Sequence, residues 1–344
     1  MSVNRKNIYT SLEKFRNSKV IVCATSDRRN MEACIASDIL PIFVNHLEAI
    51  GDTEKISLIL YTRGGEIVVA WSLVNLIRNY CNDFEVIIPF HCHSAGTLIC
   101  LGSDRIVMTR QASLSPIDPS VNGPMNPVVT IDGQQRNLPV SVEFINGYIE
   151  MAKTEMGISD QNALSKIFDI LSNKVDPIVL GQVQKTRVLI QMLAKKLLIY
   201  QNIDITKHED IIKFLCKDSG CHDYTIYRRE AKEELGLNIE KPNEKFQNII
   251  NIIFNDLKSE MELDLSFEPQ FLLAGCNSYK YSCHRVIVES MLKGKDIFLS
   301  EGKLDKQTIN PQIQGNSPPD MIQPNLMPQT TIQDNRTFEG WKHI

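Results

Sequence analysis

Residues 56–108 read "ISLILYTRGGEIVVAWSLVNLIRNYCNDFEVIIPFHCHSAGTLICLGSDRIVM", and this stretch decides the fold. "ISLILY" (56–61) is apolar on both alternating faces but for Ser57, so it predicts a strand buried on both faces. Gly64-Gly65 ends it, and "EIVVAWSLVNLIRNY" (66–80) has helical spacing. "FEVIIPF" (84–90) is a second strand, "AGTLICLG" (95–102) a second helix and "DRIVM" (104–108) a third strand. Upstream, "KVIVCA" (19–24) adds a strand and "ILPIFVNHLEAI" (39–50) a helix. Such alternation predicts an α/β fold with a parallel sheet. Parallel neighbours end at the same sheet edge. The Gly64-Gly65 turn and the Ser94 turn are therefore expected at one crevice, where open α/β sheets place their sites.

The composition narrows the function classes. The chain has 344 residues, 43% hydrophobic and 23% charged, with a formal net charge of -4, so neither nucleic acid nor an anionic membrane is the expected partner. Nine cysteines occur without a C-x-x-C, and the pairs Cys221-His222 and Cys283-His284 lack zinc-ligand spacing. No metal or other cofactor is expected, and the cysteine usage points to a reducing, cytoplasmic setting. The start has no apolar signal core, and no run approaches the ~20 apolar residues of a membrane span.

Beyond the alternating region, residues 113–139 are rich in Pro, Asn and Gly and predict a long ordered excursion. Helices are expected at 141–156, 160–173 and 178–200. Residues 205–240 have the outline of a helix-turn-helix. In its second helix Glu230, Glu233 and Glu234 offset Arg228, Arg229 and Lys232, which favours a solvated helix over a DNA reader. From 304 onward the Pro, Gln and Asn content predicts a disordered tail. The expected organisation is a main α/β domain over 1–200, an α-rich C-terminal extension over 201–303 and a tail over 304–344.

A serine before a helix is a good N-cap, and Gly-Gly after a strand is an ordinary turn. Together they suggest acyl transfer, which needs a nucleophile and donors aimed at the developing oxyanion. Gly64 and Gly65 leave backbone N–H groups unobstructed, and a helix starting at Ser94 adds the Ala95 N–H and a positive dipole end.

"TRGGE" (62–66), "SAGTLICLGSDRIVM" (94–108), "SLSPIDP" (113–119), "VDPIVLGQVQKTRVLIQMLAKKLL" (175–198) and "CHDYTIYRREAKEELGL" (221–237) resemble, in order and spacing, the serine dehydrogenase proteinase family. That family is similar to signal peptide peptidase A and the Clp protease proteolytic subunit, and the resemblance covers about residues 19–240. It implies a Clp protease/crotonase-like fold of repeated β-β-α units with a helical C-terminal extension. It also implies Ser94 as nucleophile, the Gly64-Gly65 turn as oxyanion hole, a peptide or protein substrate and a homo-oligomer. The chain departs from the pattern at His91, His93 and Ser115, where the family often has small residues or glycine.

The general base stays open. Where the Clp-type histidine is expected, "SPIDP" offers Asp118 and no histidine. A lysine base, as in signal peptide peptidases, would be Lys153, the first lysine after Ser94. His222 is the second candidate and the pair His91/His93 the third; Asp118 would orient a base or shape the groove. The resulting expectation is a serine endopeptidase of Ser-Lys or variant Ser-His type. The alternatives are a catalytically silent peptide-binding module and a crotonase-type acyl-coenzyme A enzyme.

Overall fold

The computed structural model describes residues 5–117, 120–131, 134–218, 224–309 and 329–344. Along the chain, α1 (Arg5–Arg16) leads into β1 (Lys19–Thr25), α2 (Ile39–Ile50), β2 (Thr53–Tyr61), α3 (Ile67–Arg78) and β3 (Cys81–Ile88). The short β4 (His91–Cys92), α4 (Ala95–Leu101), β5 (Arg105–Met108) and β6 (Ser113–Leu114) follow. The excursion contains β7 (Ser120–Val121), β8 (Val128–Ile131), β9 (Gln134–Asn137) and β10 (Val140–Ser141). A helical arm holds α5 (Val142–Glu150), a π-turn at Met151–Glu155, α6 (Gln161–Ser172) and α7 (Pro177–Leu198). The remainder includes α8 (His208–Lys213), β11 (Ile226–Tyr227), α9 (Arg228–Glu233), β12 (Ile239–Glu240), α10 (Glu244–Glu260), α11 (Pro269–Leu272), β13 (Ser278–Ser290), β14 (Gly294–Ile309) and β15 (Gln329–His343).

One eight-stranded mixed sheet runs β12-β5-β3-β2-β1-β13-β14-β15. The strands from β12 to β1 are parallel, and β13 turns antiparallel against β1, with Ile21 opposite Ser290. Alternate residues of each parallel strand feed two cores. Ile21, Leu58, Val86 and Ile106 pack towards α2, α3, α4 and α7, while Val22, Ile59, Ile87 and Val107 pack towards α1 and α10. Both faces are covered, which is why these strands read as continuous apolar runs. α10 presents Phe246, Ile250, Ile253 and Leu257 to the second core at helical spacing.

Three expectations are corrected. The region 304–344 does not begin a tail. Among its described residues, 304–309 complete β14 and 329–343 form β15, which pairs along β14 from Asp296–His343 to Ile309–Gln329. Nor is 201–303 a separate α-rich extension, because β13 and β14 belong to the main sheet. Among the described residues of 205–240 the helix-turn-helix outline is not realised. α9 has six residues and lies between β11, which pairs with β6, and β12, which pairs with β5. The fold is a mixed α/β architecture.

Side chains fasten the C-terminal strands to α2. His46 is fully buried; its Nδ1 lies 2.7 Å from Ser290 Oγ and its Nε2 3.0 Å from Asp296 Oδ2. Trp341 Nε1 donates to Asp38 Oδ2 at 2.8 Å. Among the described residues no helix is long and apolar enough to cross a membrane.

Candidate active site

The crevice forms where β2 and β4 end side by side. Thr62 bridges Cys92: Thr62 N–H donates to His91 O and His93 N–H to Thr62 O, both at 3.0 Å. The Thr62 hydroxyl is fully buried and sets the turn that follows. It accepts from Thr25 Oγ1 at 2.8 Å and from the Gly64 N–H at 3.0 Å. Ile35 props the turn from outside. Its N–H donates to Gly64 O, and its carbonyl accepts from the Glu66 N–H, each at 2.8 Å.

The two glycines are required for different reasons. Both have positive φ, 113° at Gly64 and 149° at Gly65. A β-carbon on Gly64 would lie 2.9 Å from His93 O and 3.1 Å from Ala95 N, inside the Ser94 turn. On Gly65 it would overlap the backbone of Ile35, on the side away from Ser94. Gly64 therefore permits the approach to the serine, and Gly65 permits the approach to the Ile35 backbone.

Ser94 is not a helix cap in the usual sense. Its side chain makes no capping hydrogen bond to α4, and its φ of 51° with ψ of -113° lies outside the extended region that N-caps adopt. A non-glycine residue held there is strained by about 1–3 kcal/mol, a cost that concentrates at functional turns. Ser94 is buried at a strand-to-helix turn between β4 and α4. Ser115 helps to hold it. Ser115 Oγ accepts the Ser94 N–H at 2.9 Å, and Thr97 Oγ1 donates to Ser115 O at 2.7 Å. Gly96 lets α4 start close to the turn, because a β-carbon there would meet Thr62 Cγ2 at 2.7 Å and Cys92 Sγ at 2.9 Å.

The donor set differs from the sequence expectation in one respect. The Gly64 N–H is engaged by Thr62 Oγ1, so it is not available to an oxyanion. The N–H groups of Gly65 and Ala95 donate to no group among the described residues.

His91 and His93 project to one side of β4, with ring centroids 4.8 Å apart. Both meet Ser113 Oγ, His93 through Nε2 at 3.0 Å and His91 through Nδ1 at 3.4 Å. His91 also stacks on Tyr61. Burial holds its pKa below the ordinary histidine value, with Asp27 opposing and Arg63 reinforcing the shift. Tyr61 is pushed well above the ordinary phenol range, first by burial and then by the nearby Asp27.

Of the proposed bases, Lys153 is exposed on the π-turn and borders a cleft formed with Gln161, Leu164 and Phe168 of the helical arm, not with the Ser94 turn. His222 and Asp118 lie outside the described residues. Among the described residues no side chain hydrogen-bonds Ser94 Oγ. In the sequence Ser115 stands out only as a departure from the family pattern, and Ser113, Thr62 and Ile35 do not stand out as site residues. Their roles depend on contacts made across the sheet edge, which no local pattern reports.

Residues 2–177 match the family described as ClpP-like SDH-type serine proteinase. An uncharacterised protein of Methanocaldococcus jannaschii is 24% identical over 187 residues, 54% of this chain and 54% of its own length. A second uncharacterised protein of the same organism is 33% identical over 66 residues, 19% of this chain and 23% of its own. The chain thus spans about half the length of the first relative and about a quarter of the second.

Proposed function

Since the chain belongs to the ClpP-like SDH-type serine proteinases, we propose that it hydrolyses peptide bonds through an acyl-enzyme on Ser94. The observation that carries this reading is the strained Ser94 turn, uncapped, facing a Gly-Gly turn and flanked by the unengaged N–H groups of Gly65 and Ala95. In the proposed reaction Ser94 Oγ attacks the scissile carbonyl carbon and its proton passes to a base. The carbonyl oxygen becomes an oxyanion that accepts from Gly65 and Ala95 N–H, at the positive end of α4. The base then protonates the leaving amine, and water releases the acyl group by the reverse sequence. Gly64 serves as the close-approach position of this hole.

Chain connectivity favours His222 over Lys153 as the base. β11 begins at Ile226, four residues after His222, and pairs with β6. β6 in turn pairs with β4, the strand that delivers Ser94. Asp118, in the segment after β6, is the proposed orienting carboxylate. Lys153 would act only if it reached the crevice of a neighbouring molecule or if the arm moved. We place the homo-oligomer contact on that arm, where Phe144, Met156, Phe168 and Ile178 are exposed.

Labelling with a fluorophosphonate, followed by mass spectrometry of the modified peptide, tests the reading. Adduct on Ser94 together with peptide turnover supports it. Peptide binding without adduct or turnover would instead mark a silent binding module, and turnover of an acyl-coenzyme A that survives Ser94→Ala would mark the crotonase-type alternative.

A further inference from the structure

A second concave site is lined by residues of the β5–β6 connection, α9 and α10, and by none of the Ser94 or Gly64-Gly65 turns. It is a cavity of about 630 Å³. Three cations from separate parts of the chain line it: Arg110 after β5, Arg228 at the start of α9 and Lys241 after β12. None of the three forms an ion pair among the described residues. Glu244 is the one carboxylate in the lining. In a chain of net charge -4 this local excess of positive charge runs against the overall balance. Three like charges directed into one concave surface cost free energy while it is empty, and a bound anion relieves that cost.

The floor of the cavity is an ordered set of amides. Asn251 Oδ1 accepts from Gln111 Nε2 at 3.0 Å and from Gln247 Nε2 at 3.1 Å. Gln247 Oε1 in turn accepts the Arg110 backbone N–H at 3.2 Å. These bonds fix Gln111, Gln247 and Asn251 in one arrangement before any ligand arrives. Arg228 is likewise held, because its NH1 donates to Met108 O at 3.2 Å while the rest of its guanidinium stays available. A planar guanidinium matches two phosphate oxygens at once, and a preorganised one loses less entropy on binding. The volume exceeds that of a single inorganic anion and suits an anion carrying further hydrogen-bonding groups.

We propose that this cavity binds a phosphate-bearing small molecule, with Arg110, Arg228 and Lys241 on the phosphate oxygens and the amides of Asn251 and Gln111 on the remainder. The shared chemistry is a chain of two or three phosphoryl groups, supplied either by a nucleotide or by inorganic polyphosphate. The site neither uses Ser94 nor depends on the proteolytic reading.

Isothermal titration calorimetry on the full chain, with ATP and with tripolyphosphate as separate probes, tests it. Saturable one-site binding of at least one probe is expected, weakening as ionic strength rises. Arg110→Ala/Lys241→Ala is the variant of choice, since both side chains are exposed and neither makes a side-chain hydrogen bond among the described residues, so the fold is kept. It should weaken binding at least tenfold, with an unchanged melting temperature. Tighter binding of ATP than tripolyphosphate, lost in Asn251→Leu, assigns the nucleotide; equal binding assigns the bare phosphate chain. Absence of saturable binding by both probes, or binding that the double variant leaves intact, overturns the proposal.

Discussion

The β-carbon of Ser94 stands 2.7 Å from where a β-carbon on Gly64 would be, so the two turns touch only because residue 64 has no side chain. Gly64→Ala should therefore push the turns apart and tilt the Gly65 N–H away from the oxyanion position. Loss of one such donor costs about 2.7–4 kcal/mol, or roughly 10²–10³ in turnover. Gly65→Ala should act differently. Its added carbon meets the Ile35 backbone, so it should lower the melting temperature as well as turnover. Paired melting curves and kcat values for the two variants separate these effects. Full turnover in Gly64→Ala would remove the oxyanion assignment.

Ser94→Ala and Ser94→Gly should both be inert to fluorophosphonate, yet differ in stability. Alanine keeps a β-carbon at φ 51°, whereas glycine relieves a strain of about 1–3 kcal/mol. Part of that gain is offset by the extra freedom glycine gives the unfolded chain. Chemical denaturation should place the glycine variant above the alanine variant, and the reverse order would contradict strain at this turn.

Ser115→Ala leaves the buried Ser94 N–H without its acceptor. An unsatisfied buried donor costs about 1–3 kcal/mol. The turn should loosen, so kcat should fall more than KM rises. Unchanged kcat would show that the α4 start holds Ser94 without this bond.

His46 supplies a pH dependence of stability. Burial is the largest influence on it and lowers its pKa from 6.5 to about 4, against the opposing pull of Asp296. Its bonds suit the neutral ring, with Nε2–H donating to Asp296 and Nδ1 accepting from Ser290. Above pH 6.5 the ring is neutral in both folded and unfolded chains and nothing is lost. Between about 6.5 and 4 the unfolded chain takes up the proton first, so stability falls as pH falls, by at most about 1.4 kcal/mol per pH unit. His46→Asn should be less stable at pH 7.5 and show a shallower loss from 6.5 to 4. Identical slopes for the two proteins would refute the linkage.

Removal of residues 310–344 should destabilise the protein, since Trp341 packs on Phe298 and donates to Asp38, and Phe338 packs on the second core. Two large apolar side chains set the scale at on the order of 3 kcal/mol. A melting temperature that stays unchanged would mean that β15 contributes no net stability.

The parallel half of the sheet was legible because strands buried on both faces must be largely apolar, as in "ISLILY" and "KVIVCA". The Ser94 crevice was legible from the order of the turns. β15 was not. "QTTIQDNRTFEGWKH" spaces Ile332, Phe338 and Trp341 among charged and amide residues, because an edge strand half open to solvent needs few apolar positions. The misread helix-turn-helix has a similar cause. β11 and β12 are two residues long, and their pairing with β6 and β5, not their own propensity, makes them strands. Ile35 and Ser113 could not be placed because their partners stand 20 or more residues away in sequence, across the sheet edge.

The pairing of β1 with β13 joins Ile21 to Ser290 across most of the chain. During synthesis on the ribosome β1 acquires β2 early, but its other edge waits until residues 278–290 have emerged. For that interval the nascent polypeptide carries "KVIVCAT" with a row of unpaired backbone groups and an uncovered apolar face, the kind of edge that templates pairing between chains. Yield in the cell should thus depend on elongation rate and on chaperone capacity more steeply than the stability of the finished molecule suggests.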